Sequence, residues 1–111
     1  MATFGRASIV LITFPFSDLS QTKLRPAIIL APASKEDWIL CQLTSNSNID
    51  DKAIEIKSTD FVEGSLRQIS YARPGKIFTG HESLILRRVG IVTEEKIDQV
   101  VKTVVKILEH K

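Results

Sequence analysis

The stretch TKLRPAIIL, Thr22–Leu30, joins an arginine–proline pair to a run of apolar residues. The run Ala27–Ala31 predicts a buried β-strand, and Pro26 suits the first residue of such a strand, where its missing N–H costs least. Arg25 comes directly before it, and an arginine side chain stays protonated in proteins. A permanent cation at the entrance of a core strand calls for a partner, either a bound anion or a carboxylate of this chain.

Further β-strands are predicted on both sides of this stretch. Their segments are SIVLIT (8–13), WILCQLT (38–44), KAIEIK (52–57), RQISYA (67–72) and GKIF (75–78). These segments are β-branched and apolar, or they alternate between apolar and polar residues, and turn-forming residues separate them. Gly64 is predicted to mark a turn, Pro74 and Gly75 separate the last two strands, and the segment 79–92 fits no single pattern.

One amphipathic helix is predicted at the C-terminus. Thr93 is a suitable N-cap, and Glu94 and Glu95 suit the positive end of the helix dipole. The apolar residues that follow recur at the spacing of one helical face; they are Ile97, Val100, Val101, Val104, Val105 and Leu108. The residues therefore predict a mainly β fold, a small, strongly curved antiparallel sheet or barrel that is closed or flanked by a C-terminal helix.

Length and composition predict one ordinary globular domain over residues 1–111. Hydrophobic residues make up 43% of the chain and charged residues 25%, as in soluble domains. The net charge of +2 is compatible with a polyanionic partner without requiring one. A single cysteine, Cys41, excludes an internal disulfide, and the apolar run Ile9–Ile12 is too short for a signal peptide or a membrane span. We therefore expect a cytoplasmic protein.

The chain contains no glycine-rich phosphate loop, no Cys/His metal cluster and no Ser-His-Asp arrangement. His81 and His110 are isolated in the sequence, and Cys41 lies in an apolar strand, where a buried and inert thiol is expected. We therefore expect no metal ion and no other cofactor.

Polar residues at the ends of two predicted strands remain as candidates for a site. Arg25 begins the second strand, and Thr44 and Ser45 end the third. If these strands are antiparallel neighbours, the start of one lies beside the end of the other. A guanidinium beside two hydroxyl groups is a good receptor for a phosphodiester. Spacing alone leaves a second interpretation open, in which Arg25 pairs with Asp18 or Asp50 and the hydroxyl groups cap a turn.

The order and spacing of four segments resemble the MazF/PemK family of toxin endoribonucleases from bacterial toxin–antitoxin systems. The segments are IVLITFPFSDLSQTKLRPAIIL (9–30), WILCQLTS (38–45), DFVEGSLRQISYARPGKI (60–77) and RRVGIVTEEKIDQV (87–100). The resemblance runs over nearly the whole chain. It implies a small SH3-like β-barrel of the MazF/PemK/CcdB type with a C-terminal helix, which agrees with the elements predicted above.

The resemblance also implies metal-independent, sequence-specific cleavage of single-stranded RNA. In this family the 2′-hydroxyl attacks the adjacent phosphorus, which leaves a 2′,3′-cyclic phosphate and a 5′-hydroxyl end. By resemblance Arg25 is the catalytic arginine and Thr44 the catalytic threonine, with Ser45 in the same pocket. Arg25 would stabilise charge on the nonbridging oxygens and Thr44 would hold a phosphate oxygen. Because arginine is a poor general base, the proton acceptor is not identified.

A second set of residues is interpreted as RNA-binding on the same resemblance, namely Phe14, Asp18, Gln21, Thr22, Lys23, Ser70 and Arg73. Aromatic side chains such as Phe14 and Phe16 stack on bases in single-strand recognition, although the core is the favoured place for Phe14. Arg73 stands beside a turn and is either an RNA contact or a solvated charge. Arg87 and Arg88 either add basic surface for RNA or are solvated charges, the usual state of paired arginines in a strand.

Two departures from the family pattern concern the chemistry. Family members commonly open the first strand with Gly-Asp or Gly-Glu, where this chain has Ala7 and Ser8. Some members also carry an Arg-x-Asp-x-Pro segment that supplies acid and base groups, whereas SYARPGK (70–76) contains no carboxylate. These departures imply a site that is incomplete, slower, or built on Arg73 instead.

The resemblance further implies a homodimer and a cognate, MazE-like antitoxin whose acidic tail lies in the RNA groove. Two other function classes stay open. A CcdB-like, gyrase-directed toxin on the same fold needs no arginine and threonine at adjoining strand ends. A non-catalytic SH3-like module would bind proline-rich ligands through an aromatic groove, for which an aromatic content of 6% is a poor fit.

Overall fold

Seven β-strands and one α-helix make up the part of the chain that the structure, a computed structural model, describes: residues 4–15 and 22–110, with only the backbone described for 14, 15, 22 and 23. The elements are β1 (Ser8–Pro15), β2 (Thr22–Ser34), β3 (Asp37–Thr44), β4 (Ile54–Ile56), β5 (Phe61–Gly64), β6 (Ser70–His81), β7 (Ile85–Val92) and α1 (Glu94–Glu109). Single 3₁₀ turns precede β5 and β7.

The strands form one sheet in the order β4-β6-β3-β2-β1-β7-β5, and every neighbouring pair is antiparallel. The predicted mainly β fold with a C-terminal helix is confirmed. β1, β2 and β3 are consecutive in the chain and adjacent in the sheet, so the second and third predicted strands are antiparallel neighbours. In the described residues, no helix is long and apolar enough to cross a membrane.

The arginine–proline pair lies inside β2 and does not begin it, which corrects the sequence prediction. Pro26 is opposite Leu11 of β1, while the ladder between β2 and β3 begins one residue later, at the pair Ala27–Gln42. A proline is tolerated there because its missing N–H interrupts no bond to β3. The residues of β2 that precede Ala27 are therefore not paired with β3, and the gap between the two strands leaves room for a cavity.

One continuous strand, β6, replaces the two strands predicted between residues 67 and 78. It pairs with β3 on both sides of a bulge, with Cys41 opposite Ile77 and Leu43 opposite Ala72. Residues 73–76 of β6 thus lie opposite a single residue of β3. The bulge contains Pro74, which cannot donate to a ladder, and so the sequence signal for a break corresponds to a bulge within one strand.

The ambiguous segment 79–92 forms the end of β6, a 3₁₀ turn and β7, and the unpredicted strand β5 pairs with β7 at the sheet edge. Gly64, predicted to mark a turn, is the last residue of β5 and has a φ of 74°. The short length of β5 explains why the sequence pattern did not show it, since four residues carry too little periodicity.

Two groups of buried side chains cover the two faces of the sheet. Cys41 and Leu43 of β3 belong to the group that packs against α1, and Leu40 belongs to the opposite group, as strand alternation requires. The helix contributes Ile97, Val100 and Val104 to the first group. Burial of each such side chain stabilises the fold by roughly 1.5 to 3 kcal/mol before entropy is counted.

Helix α1 begins where the sequence predicts. The Oγ1 atom of Thr93 accepts a hydrogen bond from the backbone N–H of Lys96 at 3.2 Å, which is an N-cap bond. The predicted apolar face is buried only in part, because Val105 is 43% exposed and Leu108 68% exposed. The last turns of the helix therefore extend past the sheet face on which the first three turns pack.

Ala7 adopts a backbone conformation that favours glycine. It is the third residue of a turn closed by the hydrogen bond from Ser8 N to Gly5 O, and its φ is 79°. Its N–H donates to Ile29 and its carbonyl accepts from Val92, so neighbouring strands hold the turn in place. An L-residue pays roughly 1 to 2 kcal/mol for this region. The departure from the family's Gly-Asp or Gly-Glu thus falls where glycine would be unstrained.

Cys41 is the buried thiol that the sequence predicts. It has no exposed surface, and its Sγ donates to the carbonyl oxygen of Arg73 at 3.0 Å. Burial raises the pKa of the Cys41 thiol to about 12, so the side chain stays neutral at physiological pH.

We expect Cys41 to react with a thiol reagent at about pH 8 only as fast as the chain opens, because the thiolate is the reactive form. The folded pKa lies above the ordinary value of 9.0, so stability from the neutral thiol is complete below about pH 9 and declines as the pH rises towards 12. The free energy of unfolding of the wild type should therefore fall more steeply above pH 9 than that of the Cys41→Ala variant. Fast, complete labelling without denaturant would contradict this.

Candidate active site

A cavity of about 750 Å³ opens where the ladder between β2 and β3 ends. Four strands contribute to its polar lining: β2 with Arg25, the end of β3 with Thr44 and Ser45, the start of β6 with Ser70, and β7 with Arg87. The segment after Gly64 adds Ser65, Arg67 and Gln68. None of the described residues that line the cavity is acidic or a histidine, so the charged side chains that they contribute are all positive.

Strand register brings Arg25 and Thr44 to the same cavity. The pairs Ala27–Gln42 and Ile28–Cys41 define the β2–β3 register, and the same register continued for two residues sets Arg25 opposite Thr44. Thr44 is in turn paired with Tyr71 of β6, which places Ser70 on the adjoining strand. The structure thus brings together four of the predicted site residues, Arg25, Thr44, Ser45 and Ser70. Their roles remain predictions.

The hydroxyl of Thr44 can cap a turn and bind an anion at the same time. Its Oγ1 accepts a hydrogen bond from the backbone N–H of Asn46 at 3.2 Å. A hydroxyl group has one proton to donate besides its acceptor capacity. The turn bond orients Oγ1, and the proton of Thr44 remains available for a phosphate oxygen in the cavity. The two interpretations left open by the sequence are therefore compatible for this residue.

Ser70 is 5% exposed and its Oγ lies 3.4 Å from the carbonyl oxygen of Gln68, to which it donates. This contact ties the start of β6 to the segment that carries Arg67 and Gln68 into the cavity. The side chain of Ser70 therefore orients the cavity wall in addition to lining it.

Arg73 does not line the cavity with Arg25. Its Nε lies 3.3 Å from Oδ2 of Asp50, and the two side chains are only 17% and 15% exposed. The other carboxylate oxygen of Asp50 accepts from the backbone N–H of Lys52 at 2.9 Å. The pair thus ties the loop 45–53, which begins at Ser45, to β6. The carboxylate of Asp50 is therefore paired with Arg73, and this mostly buried ion pair gives Arg73 a structural role.

Of the other predicted RNA-binding residues, Phe14, Thr22 and Lys23 lie at the end of the β1–β2 ladder. That ladder closes with the backbone pairs Phe14–Lys23 and Pro15–Thr22. Asp18, the remaining candidate partner of Arg25, and Gln21 lie outside the described residues.

Sequence reasoning missed Ser65, Arg67 and Gln68 as cavity residues and did not separate Arg87 from Arg88. The sequence predicts a strand that begins at Arg67, but Arg67 precedes β6 and lies on the cavity wall. The only sequence signal for this wall is Gly64, because the backbone after it turns at a positive φ. Arg87 lies on β7, a strand that the sequence pattern did not show.

A second cavity of about 490 Å³ lies on the other side of the β3–β6 pair, lined by residues that include Gln42, Lys76 and Phe78. The walls of this second cavity are mainly apolar, and Lys76 is the one cationic side chain among its described lining residues. The first cavity is therefore the better receptor for an anion. Among the residues that the structure describes, no group of three or more His, Cys, Asp or Glu side chains could hold a metal ion.

Comparison with known proteins gives a family and a fold. A family model described as PemK-like, MazF-like toxin of type II toxin–antitoxin systems matches residues 5–108, and no curated protein sequence matches significantly. A MazE–MazF crystal structure from Deinococcus radiodurans is similar to the chain with a TM-score of 0.78, 14% identity and complete coverage (100%) of both chains.

Two mycobacterial structures show the same likeness. An endoribonuclease in complex with its cognate antitoxin, from Mycobacterial species, gives a TM-score of 0.74 at 13% identity over 98% of each chain. The Mycobacterium tuberculosis toxin MazF-mt6 gives 0.71 at 14% identity, over 92% of this chain and 96% of that one. At such low identity these structures establish the shared fold alone.

Proposed function

The chain belongs to the family of PemK-like, MazF-like toxins of type II toxin–antitoxin systems, and from that membership we propose that it is an endoribonuclease that cuts single-stranded RNA in the cavity around Arg25. The observation that carries the proposal is that Arg25, Thr44 and Ser45 line one cavity whose described walls contain no acidic side chain. A phosphodiester is the anion that this combination of a guanidinium and hydroxyl groups suits best.

The proposed reaction is transesterification within the RNA strand. The 2′-oxygen forms a bond to the adjacent phosphorus, the bond from phosphorus to the 5′-oxygen breaks, and the products are a 2′,3′-cyclic phosphate and a 5′-hydroxyl. The 2′-hydroxyl loses one proton and the leaving 5′-oxygen gains one. Negative charge builds on the nonbridging oxygens in the transition state, where Arg25 and the hydroxyl of Thr44 would stabilise it.

Electrostatic stabilisation and positioning are the contributions that we assign to the described residues of the site. No described residue on the cavity wall is a carboxylate or an imidazole, the usual groups for general acid–base catalysis at neutral pH. The missing carboxylate in SYARPGK, noted from the sequence, agrees with this assignment. A member of the family built in this way is expected to be slower than one with acid and base groups.

We further propose that the chain acts as a homodimer, cuts at short sequence motifs and is neutralised by a cognate antitoxin. One similar structure is an endoribonuclease in complex with its cognate antitoxin and another is a MazE–MazF structure, which supports the last of these. A separation of Arg25 from Thr44 would have favoured a gyrase-directed toxin. Because the two residues line one cavity, the structure gives no support to that alternative.

The test is incubation of the purified protein with a long single-stranded RNA in excess EDTA, followed by mapping of the ends. We expect cleavage at a limited set of sites, with 5′ ends that a polynucleotide kinase labels without prior dephosphorylation. An RNA with a 2′-deoxynucleotide on the 5′ side of a mapped bond should resist cleavage at that bond. Absence of cleavage on RNAs of diverse sequence would refute the proposal.

A further inference from the structure

The six arginines of this chain divide into two groups of three. Arg6, Arg73 and Arg88 each lie within ion-pair distance of a carboxylate: Arg6 at Glu94 and Asp98, Arg73 at Asp50, and Arg88 at Glu63. Arg25, Arg67 and Arg87 line the cavity. No arginine belongs to both groups, and in the described part of the chain two of the cavity arginines, Arg67 and Arg87, have no carboxylate within ion-pair distance.

Arg87 and Arg88 show the division most clearly, because they are neighbours on β7. The guanidinium of Arg88 lies 3.3 Å from a carboxylate oxygen of Glu63 on the edge strand β5. Arg87 is opposite Leu11 of β1, next to Ile12, which is itself opposite Arg25. Both arginines line the cavity, Arg87 from β7 and Arg25 from β2, and β1 is the only strand between these two.

Arg67 enters the same cavity from the segment between β5 and β6. Within the described ranges, neither Arg67 nor Arg87 has a side-chain hydrogen bond or an ion pair, and both are exposed. The guanidinium groups of Arg67 and Arg87 in one cavity repel each other, and an anion bound between them would relieve that repulsion. The cavity volume of about 750 Å³ is in the range of sites that bind whole small molecules. It is larger than a single phosphate group requires.

We propose that Arg67 and Arg87 bind a phosphate adjacent to the one that Arg25 holds, so that the cavity recognises two consecutive phosphates of one RNA strand. This inference rests on the proposed function and deepens it. Arg67 and Arg87 act in substrate binding and not at the reacting atoms, and the required substrate is an oligonucleotide with a phosphate next to the scissile one.

The direct test measures binding separately from cleavage. An RNA oligonucleotide with 2′-deoxynucleotides is titrated with the protein at several salt concentrations, with fluorescence anisotropy as the readout. Arg67→Gln and Arg87→Gln should each raise Kd about tenfold, as expected for loss of a hydrogen bond to a charged group. Each should also reduce the slope of log K against log[salt] by about 0.7, the value for one phosphate contact on a single strand.

Arg88→Gln is the matched control, because it removes the same charge one residue away. We expect its Kd and salt slope to stay close to those of the wild type. Equal effects of Arg87→Gln and Arg88→Gln would overturn the inference, since the loss would then reflect net charge alone. Circular dichroism of each variant verifies that the fold is retained, and Arg67→Lys should recover part of the affinity and the whole salt slope.

Neutral methylphosphonates locate the second phosphate. Substitution of the phosphate on one side of the central linkage should weaken binding to the wild type and have little further effect in Arg87→Gln, because the variant has already lost that contact. Additive losses at every position would refute the assignment. If the wild type binds in this way but cleaves no RNA, the proposed function fails while the phosphate sites stand; if it cleaves but all variants bind alike, only this inference fails.

Discussion

Arg25→Ala is expected to lower the rate of RNA cleavage by about 10²- to 10³-fold, the usual effect of removing one donor that stabilises transition-state charge. Arg25 is only partly exposed, its Nε is buried, and it lies with Thr44 on the cavity wall. The loss should appear mainly in kcat, because the interaction strengthens as charge develops on the phosphate. Cleavage of an RNA with one mapped site, at saturating RNA, measures it.

Two variants make this expectation specific. Arg25→Lys keeps the charge but loses the planar fork that matches two phosphate oxygens, so it should recover only a small part of the rate. Arg88→Ala removes a nearby charge outside the cavity and should keep the wild-type kcat. If Arg25→Ala cuts the same bonds at the wild-type rate, the chemistry takes place elsewhere in the molecule.

Gly64→Ala is expected to lower the free energy of unfolding by about 2 to 4 kcal/mol, since it combines a strained backbone with a steric clash. Gly64 has a φ of 74°, and a Cβ atom there would lie 2.1 Å from the carbonyl oxygen of Val89. The clashing atom belongs to the backbone of β7, so a side-chain rotation cannot relieve it. Urea denaturation followed by circular dichroism gives the change.

Gly75→Ala is the control for Gly64→Ala, because a Cβ atom at Gly75 would meet nothing within 4 Å. We expect it to change the stability by less than about 1 kcal/mol. Similar losses in both variants would show that the close approach of β5 and β7 at Gly64 does not limit stability. Because Gly64 leads into the wall that carries Arg67, its alanine variant should also bind RNA more weakly.

Features that depend on neighbouring residues in the chain were predictable. The N-cap at Thr93 follows from the residue type and the helical spacing after it, and the structure shows the capping bond. The convergence of Arg25 and Thr44 was predictable for a similar reason. The two residues lie on strands that are consecutive in the sequence, and consecutive antiparallel strands are commonly adjacent in a sheet.

Packing between elements distant in the chain was not predictable. The apolar spacing of α1 assigned Val105 and Leu108 to a buried face, but the length of sheet under the helix determines how many turns are covered. The ion pair between Arg73 and Asp50 joins residues 23 positions apart, whereas the sequence suggested Asp50 as a partner for Arg25. Both outcomes depend on which surfaces meet.

The sequence alone was enough to predict the fold class, the C-terminal helix, the buried Cys41 and the residue types needed to bind a phosphodiester. Only the tertiary structure distinguished Arg87 from Arg88 and placed Arg67 on the cavity wall. The physical reason is the irregular register: the β1–β7 ladder shifts twice, and the β5–β7 ladder shifts once. Each shift changes which side chains face the same way, so the two-residue alternation of a strand no longer indicates where its arginines lie.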